Sequence, residues 1–567
     1  MNYPDNTGDS ARAVITAGPA AVISWREAGL VLLLWGLFVA LLYANTLHSP
    51  FIFDDSRIYN NPHIQITDLS PAALIKAAVQ SEQVRPVSNL SFALNYYFHQ
   101  FRVTGYHVVN IVIHTMTGLL LFFLVKATVL LAGGKAREDS FLIAFFSALL
   151  WLVHPLQTQS ITYIVQRMNS MAAMFYLLAF LCYILARLSG KGRRAWLLFG
   201  VCLFASLLAL GSKEIAATLP PFILLYEWFF FQDMRKAWLQ EHVIILLATA
   251  AFLVAAALVF TAGHPVQEIL ASYSARSFTL ADRLLTETRV VFFYLGLLLI
   301  PHPARLNLDH DFVVSSSLVE PPTTCISLLL LVALFLAACR LAGKERLLAF
   351  GIFWFLGQLV IESSFIGLEI IFEHRLYLPS MFAAVLFVIV IRRLAGRAWL
   401  WTGLLSILVL IFSLWTYERN RVWADEITLW SDCVLKSPQK ARPHNNLGYH
   451  LKQNGRIDEA LLHFRAVVRI DPDFTEAYNN IGNILAARGQ LDEALQNYYK
   501  AISLAPNNPV LHNNIGNALV EKWRLKDALL HYSEAVRLKP DFTEARLNLE
   551  SLRRMIRAQE LRKGTRP

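Results

Sequence analysis

Long apolar runs constrain this chain more than any other feature of its sequence. They follow one another between residues 28 and 416, for example at 30–42, 108–131 and 244–259. A helix that crosses a bilayer needs about 20 mostly apolar residues, so repeated runs of this kind indicate membrane-spanning helices. Residues 417–567 contain no such run and are polar and helix-forming. We therefore expect an all-α chain in which a polytopic membrane helical bundle of about eleven spans precedes a soluble helical module.

Composition supports this interpretation and narrows the possible partners. Of the 567 residues, 56% are hydrophobic and only 16% are charged, whereas soluble domains carry about 25% charged residues. The net charge of +10 raises the question of nucleic-acid binding. Much of the excess lies in short loops between apolar runs, where membrane topology explains it better, so we expect no nucleic-acid partner. The five cysteines show no CxxC spacing, which predicts neither a disulfide framework nor a metal site.

Basic loops predict the orientation of the bundle, because Lys and Arg concentrate on the cytoplasmic side of membrane proteins. Five short loops between the apolar runs are visibly basic. Placing all five inside puts the N-terminal tail, residues 1–28, in the cytoplasm and the soluble module on the outer side. Residues 290–300 are apolar but short, and we expect segment 287–301 to be a re-entrant or partly buried helix.

The soluble module repeats itself every 34 residues. Residues 441–474, 475–508 and 509–542 align without gaps, and 543–555 supplies one further first helix. Matching positions hold Asn446, Asn480 and Asn514; Gly448, Gly482 and Gly516; Ala460, Ala494 and Ala528; and Pro472, Pro506 and Pro540. This period with small residues at helix contacts resembles the tetratricopeptide (TPR) family, an α-solenoid of helix pairs. Trp523 stands where the first two repeats have a turn glycine, and we expect that turn to differ.

Paired asparagines recur on the first helix of each repeat, which lines the concave face in TPR proteins. The pairs are Asn445–Asn446, Asn479–Asn480 and Asn513–Asn514. An Asn side chain offers both a donor and an acceptor, so a ladder of them can bind an extended acceptor peptide without reading its sequence. A similar ladder occurs in the TPR part of nucleocytoplasmic O-GlcNAc transferases. The alternative is that these side chains cap helices or bridge neighbouring repeats.

Polar and ionisable residues gather in the loops assigned to the outer side, and such groups at a membrane point to function. Asp54 and Asp55 come directly after the first span. The further candidates are Arg85, His107, His154, Arg167, Lys213, Glu214, His374, Arg375 and Tyr377. Carboxylates and cations on one face are what a site needs to activate a hydroxyl and to hold a phosphate leaving group.

These candidates belong to motifs that run through most of the chain. FDD follows the first span, and RPxSxxSxxLNY, GYHxxNxxxH, HPxQTxxxxYxxxR, SKE and RLYLPS come in order before the repeats. The combination resembles the transmembrane-and-TPR protein O-mannosyltransferases, members of the GT-C superfamily of polyprenyl-phosphate-sugar-dependent glycosyltransferases. We divide the chain accordingly into a GT-C-like transmembrane catalytic domain at 29–416, a linker helix at 417–440, a TPR domain at 441–555 and a basic tail at 556–567.

The resemblance implies roles for these residues. In that fold an Asp of the first outer loop is the catalytic base, or helps to bind a metal, which assigns the role to Asp54 first and to Asp55 second. A divalent metal at this pair is possible. From the residue types themselves we expect Arg85, Arg167, Lys213 and Arg375 to hold the donor phosphate, with hydrogen bonds from His107, His154 and His374. The plainer alternatives are helix capping by the two Asp residues, a local Lys213–Glu214 ion pair and an interface anchor at Arg375.

Three classes of function remain open. The first is an inverting glycosyltransferase that passes a sugar or glycan from a polyprenyl-phosphate or -diphosphate lipid to a hydroxyl of an extracytoplasmic protein held by the TPR groove. The second is a non-catalytic membrane-anchored TPR scaffold, and the third is a lipid-linked-sugar polymerase or transporter. A scaffold has no reason to collect Asp54, Arg85 and Lys213 on one face, so we favour the enzyme. The brief loops and short repeat array suit a bacterial inner membrane with the TPR domain in the periplasm.

Overall fold

The computed structural model describes Val14, Thr16 and residues 18–80, 85–260, 265–274 and 276–564. Within these residues the chain is helical and forms no strand. It divides into two compact units: the second begins at Glu426 and also includes Asp309–Asp311, and the first contains the rest. The predicted all-α class, with apolar helices followed by a TPR-like solenoid, is confirmed.

The first unit consists of eighteen α-helices within the described residues. In chain order they are α1 (Trp25–Leu42), α2 (Ser56–Tyr59), α3 (Pro71–Val79), α4 (Pro86–His99), α5 (Val103–Ala132), α6 (Ser140–Leu152), α7 (Thr158–Ile161), α8 (Arg167–Leu188), α9 (Arg193–Ser212), α10 (Leu219–Tyr226), α11 (Lys236–Glu241), α12 (Val243–Phe260), α13 (Pro265–Ala271), α14 (Leu280–Leu299), α15 (Thr323–Leu341), α16 (Arg346–Leu359), α17 (Ser380–Ala395) and α18 (Ala398–Arg421). Short 3₁₀ turns such as Phe53–Asp55, Ile164–Gln166, Glu214–Thr218 and Glu373–Leu376 connect them.

Several of these helices are long and apolar enough to cross a membrane. The described part of the chain contains 7 such helices, or up to 8 if the bent pair Ser140–Leu152 and Pro155–Ile161 forms one span. This confirms a multi-pass membrane protein, whereas the count of about eleven spans stays a prediction. The core lies around α5, which is buried along most of its 30 residues. Gly118 allows α5 to approach α6 closely, because a Cβ there would lie 2.5 Å from the Leu152 side chain.

Segment 287–301 belongs to a longer element than its apolar stretch suggested. It forms most of α14, a continuous helix of 20 residues. The N-terminal half of α14 buries charge, since Arg283 and Glu287 are 0% and 3% exposed and form an ion pair at 2.8 Å. Its re-entrant character stays a prediction.

The second unit is a row of paired helices. They are α19 (Glu426–Lys436), α20 (Ala441–Gln453), α21 (Ile457–Ile470), α22 (Thr475–Ala487), α23 (Leu491–Leu504), α24 (Pro509–Glu521), α25 (Leu525–Leu538) and α26 (Thr543–Gly564). Each 34-residue repeat therefore forms one helix pair. The predicted linker at 417–440 is divided between the end of α18 and α19, which packs on α20. Helix α26 continues past the predicted end at 555, because residues such as Ala, Gln, Glu, Leu, Arg and Lys favour helix.

The turn at Trp523 does not differ from the others, so the expectation stated above was wrong. Trp523 adopts φ +59°, beside +76° and +75° at Gly455 and Gly489. The hydrogen bond that closes the turn is also the same: the backbone N–H of Arg524 donates to the Leu519 carbonyl at 2.9 Å, as the N–H of Arg456 does to the Leu451 carbonyl. The helix pair imposes the left-handed turn, and a side chain there is strained by about 1–2 kcal/mol.

Candidate active site

The two aspartates of the loop after α1 have different environments. Asp55 is 1% exposed, and its carboxyl oxygens accept the backbone N–H groups of Ile52 at 2.8 Å and Val165 at 2.6 Å. Burial, opposed by these N–H donors, raises the pKa of Asp55 to about 8. A carboxyl with that pKa is largely protonated at neutral pH and cannot take up another proton. Asp55 therefore ties the loop to the turn at Ile164–Gln166.

Asp54, by contrast, keeps an accessible carboxylate. Its side chain is 34% exposed, and Oδ1 lies 3.5 Å from the guanidinium of Arg57. Its backbone N–H donates to the Tyr163 hydroxyl at 2.8 Å, which fixes the main chain without using the carboxylate. Of the two aspartates, only Asp54 has the exposure that a general base requires.

A cleft of about 220 Å³ lies beside this loop. Its walls come from the loop after α1, from α4 and from the start of α8. Eight of the residues that line it are polar or cationic: Arg57, Asn60, Asn61, His63, Gln80, Arg85, Ser88 and Asn89. Arg57, the partner of Asp54, thus lines the same cleft as Arg85. The cleft thus has two guanidinium groups in its walls, and one of them lies 3.5 Å from the Asp54 carboxylate.

Two predicted residues form a bidentate ion pair next to the cleft. Arg85 donates from Nε to Glu214 Oε2 at 3.1 Å and from its NH2 group to Glu214 Oε1 at 2.7 Å. The pair joins the start of α4 to the turn after α9. The sequence alternative of a local Lys213–Glu214 pair is not what the structure shows, because each of these neighbours pairs elsewhere.

Lys213 points to a carboxylate far away in the sequence. Its ammonium, whose side chain is 5% exposed, lies 2.6 Å from Glu362 Oε1 and 3.2 Å from Asn169 Oδ1. Asn169 in turn donates to the backbone carbonyl of His374 at 2.7 Å. Asn169 therefore connects the Lys213 ammonium with the turn at Glu373–Leu376.

His374 is held by a second amide. Gln159 Oε1 accepts both the backbone N–H of His374 at 2.7 Å and its ring Nδ1–H at 3.0 Å. Burial first, and then the nearby charges of Lys213, Arg375 and Arg85, place the pKa of His374 well below its usual value. Its imidazole is therefore neutral, with the proton on Nδ1 and the lone pair on Nε2.

Arg375 lies beside this histidine and is 4% exposed. One of its guanidinium nitrogens donates to the Ile370 carbonyl at 3.0 Å, and the group lies 5.5 Å from the centre of the Phe372 ring. Its buried Nε has no hydrogen-bond partner among the described residues. Arg375 therefore retains donor capacity at the site.

The other predicted donor-binding residues contact the fold instead of the cleft. Arg167 donates to Asn110 Oδ1 at 2.7 Å and to the Tyr106 carbonyl at 2.9 Å. His107 Nε2 is hydrogen-bonded to the Ser49 carbonyl at 2.9 Å, and His154 Nε2 to the Leu298 carbonyl at 3.0 Å. The Tyr377 hydroxyl is hydrogen-bonded to His114 Nδ1 at 2.9 Å. His154 also borders an apolar cavity of about 430 Å³ between α6, α14, α17 and α18.

The paired asparagines divide into two groups. Asn514 donates to Asn479 Oδ1 at 2.8 Å and to Asn483 Oδ1 at 3.2 Å. One repeat later, Asn548 repeats this pattern on Asn513 and Asn517, at 3.0 and 3.1 Å. Asn513, Asn514 and Asn479 therefore bridge neighbouring repeats, which is the alternative stated for them.

The first repeat departs from this pattern. Asn480 accepts from the Lys452 ammonium at 3.2 Å, and Asn445 Oδ1 is buried without a hydrogen-bond partner in the described part of the chain. Tyr449 occupies the position that Asn483 and Asn517 hold in the later repeats. Peptide binding by the ladder stays a prediction, and within the described residues Asn445, Asn446 and Asn480 take no part in bonds between asparagines.

A divalent metal at the aspartate pair finds few ligands. Across the residues that the structure describes, no group of three or more His, Cys, Asp or Glu side chains is arranged to hold a metal ion. Both oxygens of Asp55 already accept backbone N–H groups, which leaves Asp54 as the one open carboxylate of the pair. The donor set therefore does not fit a metal bridged by the two aspartates.

Sequence reasoning missed the residues that organise this site. Gln159, Asn169 and Glu362 support His374 and Lys213, and Asn483 and Asn517 complete the asparagine network. The two asparagines could have been found, because they recur at the same 34-residue spacing. A polar residue at the end of an apolar run, such as Glu362, carried no local signal of its partner.

Comparisons with known proteins agree on both parts of the chain. A family model for the TPR repeat matches residues 448–487 and 482–522. The chain is 26% identical to a Caenorhabditis elegans protein O-mannosyl-transferase over 464 residues, which cover 76% of this chain and 62% of that protein. It is 27% identical to Drosophila melanogaster protein O-mannosyl-transferase Tmtc3, over 76% and 54% of the two chains, and 26% identical to human TMTC1, over 77% and 54%. Its homologues are thus TMTC-family proteins, of which it spans little more than half the length.

Proposed function

We propose that this chain transfers a sugar from a polyprenyl-phosphate lipid to a hydroxyl group of an extracytoplasmic protein. The observation that carries the proposal is the accessible Asp54 carboxylate, whose partner Arg57 lines a cleft together with Arg85 in a membrane bundle. The relatives named as protein O-mannosyl-transferases support a protein acceptor and make mannose the first sugar to test.

The geometry supports an inverting transfer in one displacement. The acceptor hydroxyl attacks the anomeric carbon, its proton passes to Asp54, and the bond between that carbon and the phosphate oxygen breaks. The lipid phosphate leaves with the bonding electron pair and one additional negative charge. Arg85, Lys213 and Arg375 supply positive charge for it, and ion pairs with Glu214 and Glu362 hold the first two in place.

We limit the proposed donor site to the residues that line the cleft or lie near the cations Arg85, Lys213 and Arg375. Arg85, Lys213, Glu214, His374 and Arg375 remain in it. The remaining predicted members, Arg167, His107, His154 and Tyr377, join the helices that carry the site. Among these, His154 also borders the apolar cavity, which suits the prenyl chain of the donor because its walls are almost entirely hydrocarbon.

The TPR unit is proposed to bind the protein acceptor. TPR solenoids use their first helices as a concave binding surface. In this chain the later repeats use several asparagines for their own cohesion. Recognition is therefore assigned to Asn445, Asn446 and Asn480 near the start of the solenoid. The charge of the loops supports a cytoplasmic N-terminus and a solenoid on the opposite side of the membrane. The brief loops and the short repeat array suit a bacterial inner membrane, with the solenoid in the periplasm.

The experiment uses the purified full-length chain in lipid nanodiscs with radiolabelled polyprenyl-phosphate mannose and membrane-extracted proteins as acceptors. We expect transfer of label to protein by the wild type and a loss of at least about 100-fold for Asp54→Asn, the scale of general-base catalysis. Arg465→Gln, a change in the solenoid at a residue without any proposed role, is the matched control. Absence of transfer by the wild type, with mannose or with other lipid-linked sugars, would leave the scaffold function as the better account.

A further inference from the structure

Two side-chain amides hold the backbone of His374, one at its N–H and the other at its carbonyl. Gln159 accepts its backbone N–H at 2.7 Å, and Asn169 donates to its carbonyl at 2.7 Å. Both amides are almost fully buried, at 0% and 1% exposure. A buried backbone turn held from both sides has little freedom to rotate, so the ring of His374 has a defined direction.

The same two amides also determine what His374 can offer. Gln159 Oε1 can only accept, so the ring nitrogen that faces it at 3.0 Å carries the proton. The ring stacks on Phe372, with centroids 5.1 Å apart and planes inclined by 26°. No described residue forms a hydrogen bond with Nε2. This nitrogen is also not fully enclosed by the protein. The free group of His374 is therefore a lone pair.

The surroundings make this lone pair unusual for a phosphate site. Asn169 links His374 to the Lys213 ammonium, and the charges of Lys213, Arg375 and Arg85 all act on the ring. These cations suit the lipid phosphate, but a neutral imidazole nitrogen with a lone pair repels phosphate oxygens. It can accept a hydrogen bond from a hydroxyl group, and the sugar next to the phosphate has several.

We propose that Gln159 and Asn169 are positioning residues that hold His374 as a neutral acceptor for a hydroxyl of the transferred sugar. This inference rests on the proposed transferase function and reverses the role first expected for His374, which was to donate to the phosphate. Asn169 also fixes the position of the Lys213 ammonium relative to His374, because it forms hydrogen bonds with both residues.

Gln159→Glu provides the sharpest test because it preserves size and the acceptor oxygen. A carboxylate beside Nδ1–H favours the imidazolium, which raises the pKa of His374 and places a second proton on Nε2. At pH 6.5 the variant should lose about 10-fold or more in kcat/KM for polyprenyl-phosphate mannose. Activity should return as the pH rises through the new pKa, whereas the wild type has no such dependence on His374 over this range.

The controls separate positioning from folding. Gln159→Ala removes the hydrogen bonds without adding charge, so its loss should be similar at every pH. Asn169→Asp retains an oxygen for Lys213 but no donor for the His374 carbonyl, and should raise KM more than it lowers kcat. Equal losses at all pH values in Gln159→Glu, or a wild-type profile whose acidic limb disappears in His374→Gln, would overturn the proposal.

A second measurement does not depend on the reaction. Deuterium exchange at the imidazole C2 position, followed by mass spectrometry of the full-length chain, reports the titration of His374 directly. The inference predicts no titration of the wild-type ring between pH 5.5 and 8, and titration in that range for Gln159→Glu. If this pattern holds while no sugar transfer is found, the proposed function fails and the neutral acceptor stands; if the wild-type ring titrates near 6.5, the inference fails whatever the activity.

Discussion

Two repeats of the solenoid should loosen at acidic pH because each contains a histidine pair. His444 and His463 face each other with their Nδ1 atoms 2.9 Å apart, and His512 and His531 do so at 3.0 Å. Each pair joins the two helices of its repeat, α20 to α21 and α24 to α25. The first histidine of each pair also donates from Nε2 to the carbonyl of a proline, Pro438 or Pro506.

This geometry admits only one proton between the rings. Since Nε2 of His444 donates to a carbonyl, its Nδ1 bears the lone pair that accepts from His463 in the neutral pair. The ring centroids are 5.2 Å apart, so the bond joins the two rings directly. A proton added to Nδ1 of His444 removes the acceptor and makes that ring cationic, and two positive charges oppose each other once His463 is protonated as well.

The sign of the pH dependence follows from the pKa shifts. Burial lowers the pKa of His444, and burial together with the partner ring lowers the pKa of His463 and of His531. Glu459 and Asp527 face the latter two and oppose the shift. A histidine with a lowered pKa in the folded state binds fewer protons than in the unfolded state, so stability is complete above about pH 6.5 and falls as the pH decreases below it.

The magnitude comes from the hydrogen bond that is lost. One such bond contributes about 0.5–1.5 kcal/mol, and repulsion between the rings adds to it, so each affected repeat should lose about 1–2 kcal/mol. That is a factor of roughly 5–30 in the population of the open state. Hydrogen-exchange mass spectrometry of the full-length chain at pH 7.5 and 5.0, corrected for intrinsic exchange, measures it repeat by repeat.

The middle repeat is the internal control, because Tyr478 and Asn497 occupy the two histidine positions there. Its protection should change little between the two pH values. His463→Asn, which copies the middle repeat, should remove the pH dependence from the first repeat and leave that of the third. Equal loss of protection in all three repeats would refute the reasoning, since it would point to a general effect of acid.

Three further changes test the packing described above by thermal unfolding of the full-length chain. Gly482→Ala places a Cβ 2.5 Å from the Tyr498 ring and should destabilise the solenoid by about 1–3 kcal/mol, whereas Gly403→Ala, which meets nothing within 4 Å, should not. Trp523→Gly should stabilise the third repeat by about 1 kcal/mol, because the 72% exposed side chain loses little contact and the left-handed strain disappears; a lower melting temperature would contradict this. Asp55→Ala should cost about 1–3 kcal/mol for each backbone N–H that it leaves unpaired, and unchanged melting would show that Asp55 has no structural task.

The sequence was sufficient for those features that depend on local pattern. Apolar runs of span length and a 34-residue period are visible in consecutive residues, so the membrane bundle and the solenoid were predictable. The turn at Trp523 was not, because the helix pair imposes a left-handed backbone on a residue that disfavours it. The end of α26 was predicted too early, although its helix-forming residues are visible in the sequence. The burial of Arg283 in α14 could not be predicted because the backbone carbonyls that it bonds lie more than 70 residues away.

The candidate site was predictable in its residue types but not in their roles. Asp54 and Asp55 are neighbours with identical chemistry, and only the two N–H groups that close on Asp55 separate them. The asparagine pairs likewise look uniform in the sequence, yet Asn514 bonds to Asn479 whereas Asn480 meets Lys452. Whether a polar side chain is already satisfied depends on partners that the linear sequence does not show.

The most direct test of the transferase is the intact mass of exported proteins from cells that carry the wild-type gene, Asp54→Asn or Asp55→Asn at matched expression. The account predicts that a sugar-sized mass present with the wild type disappears with Asp54→Asn while that variant remains folded in the membrane. Asp55→Asn should lose it only in proportion to lost folded protein. If every glycoform persists with Asp54→Asn, Asp54 is not the base and the proposed site is wrong.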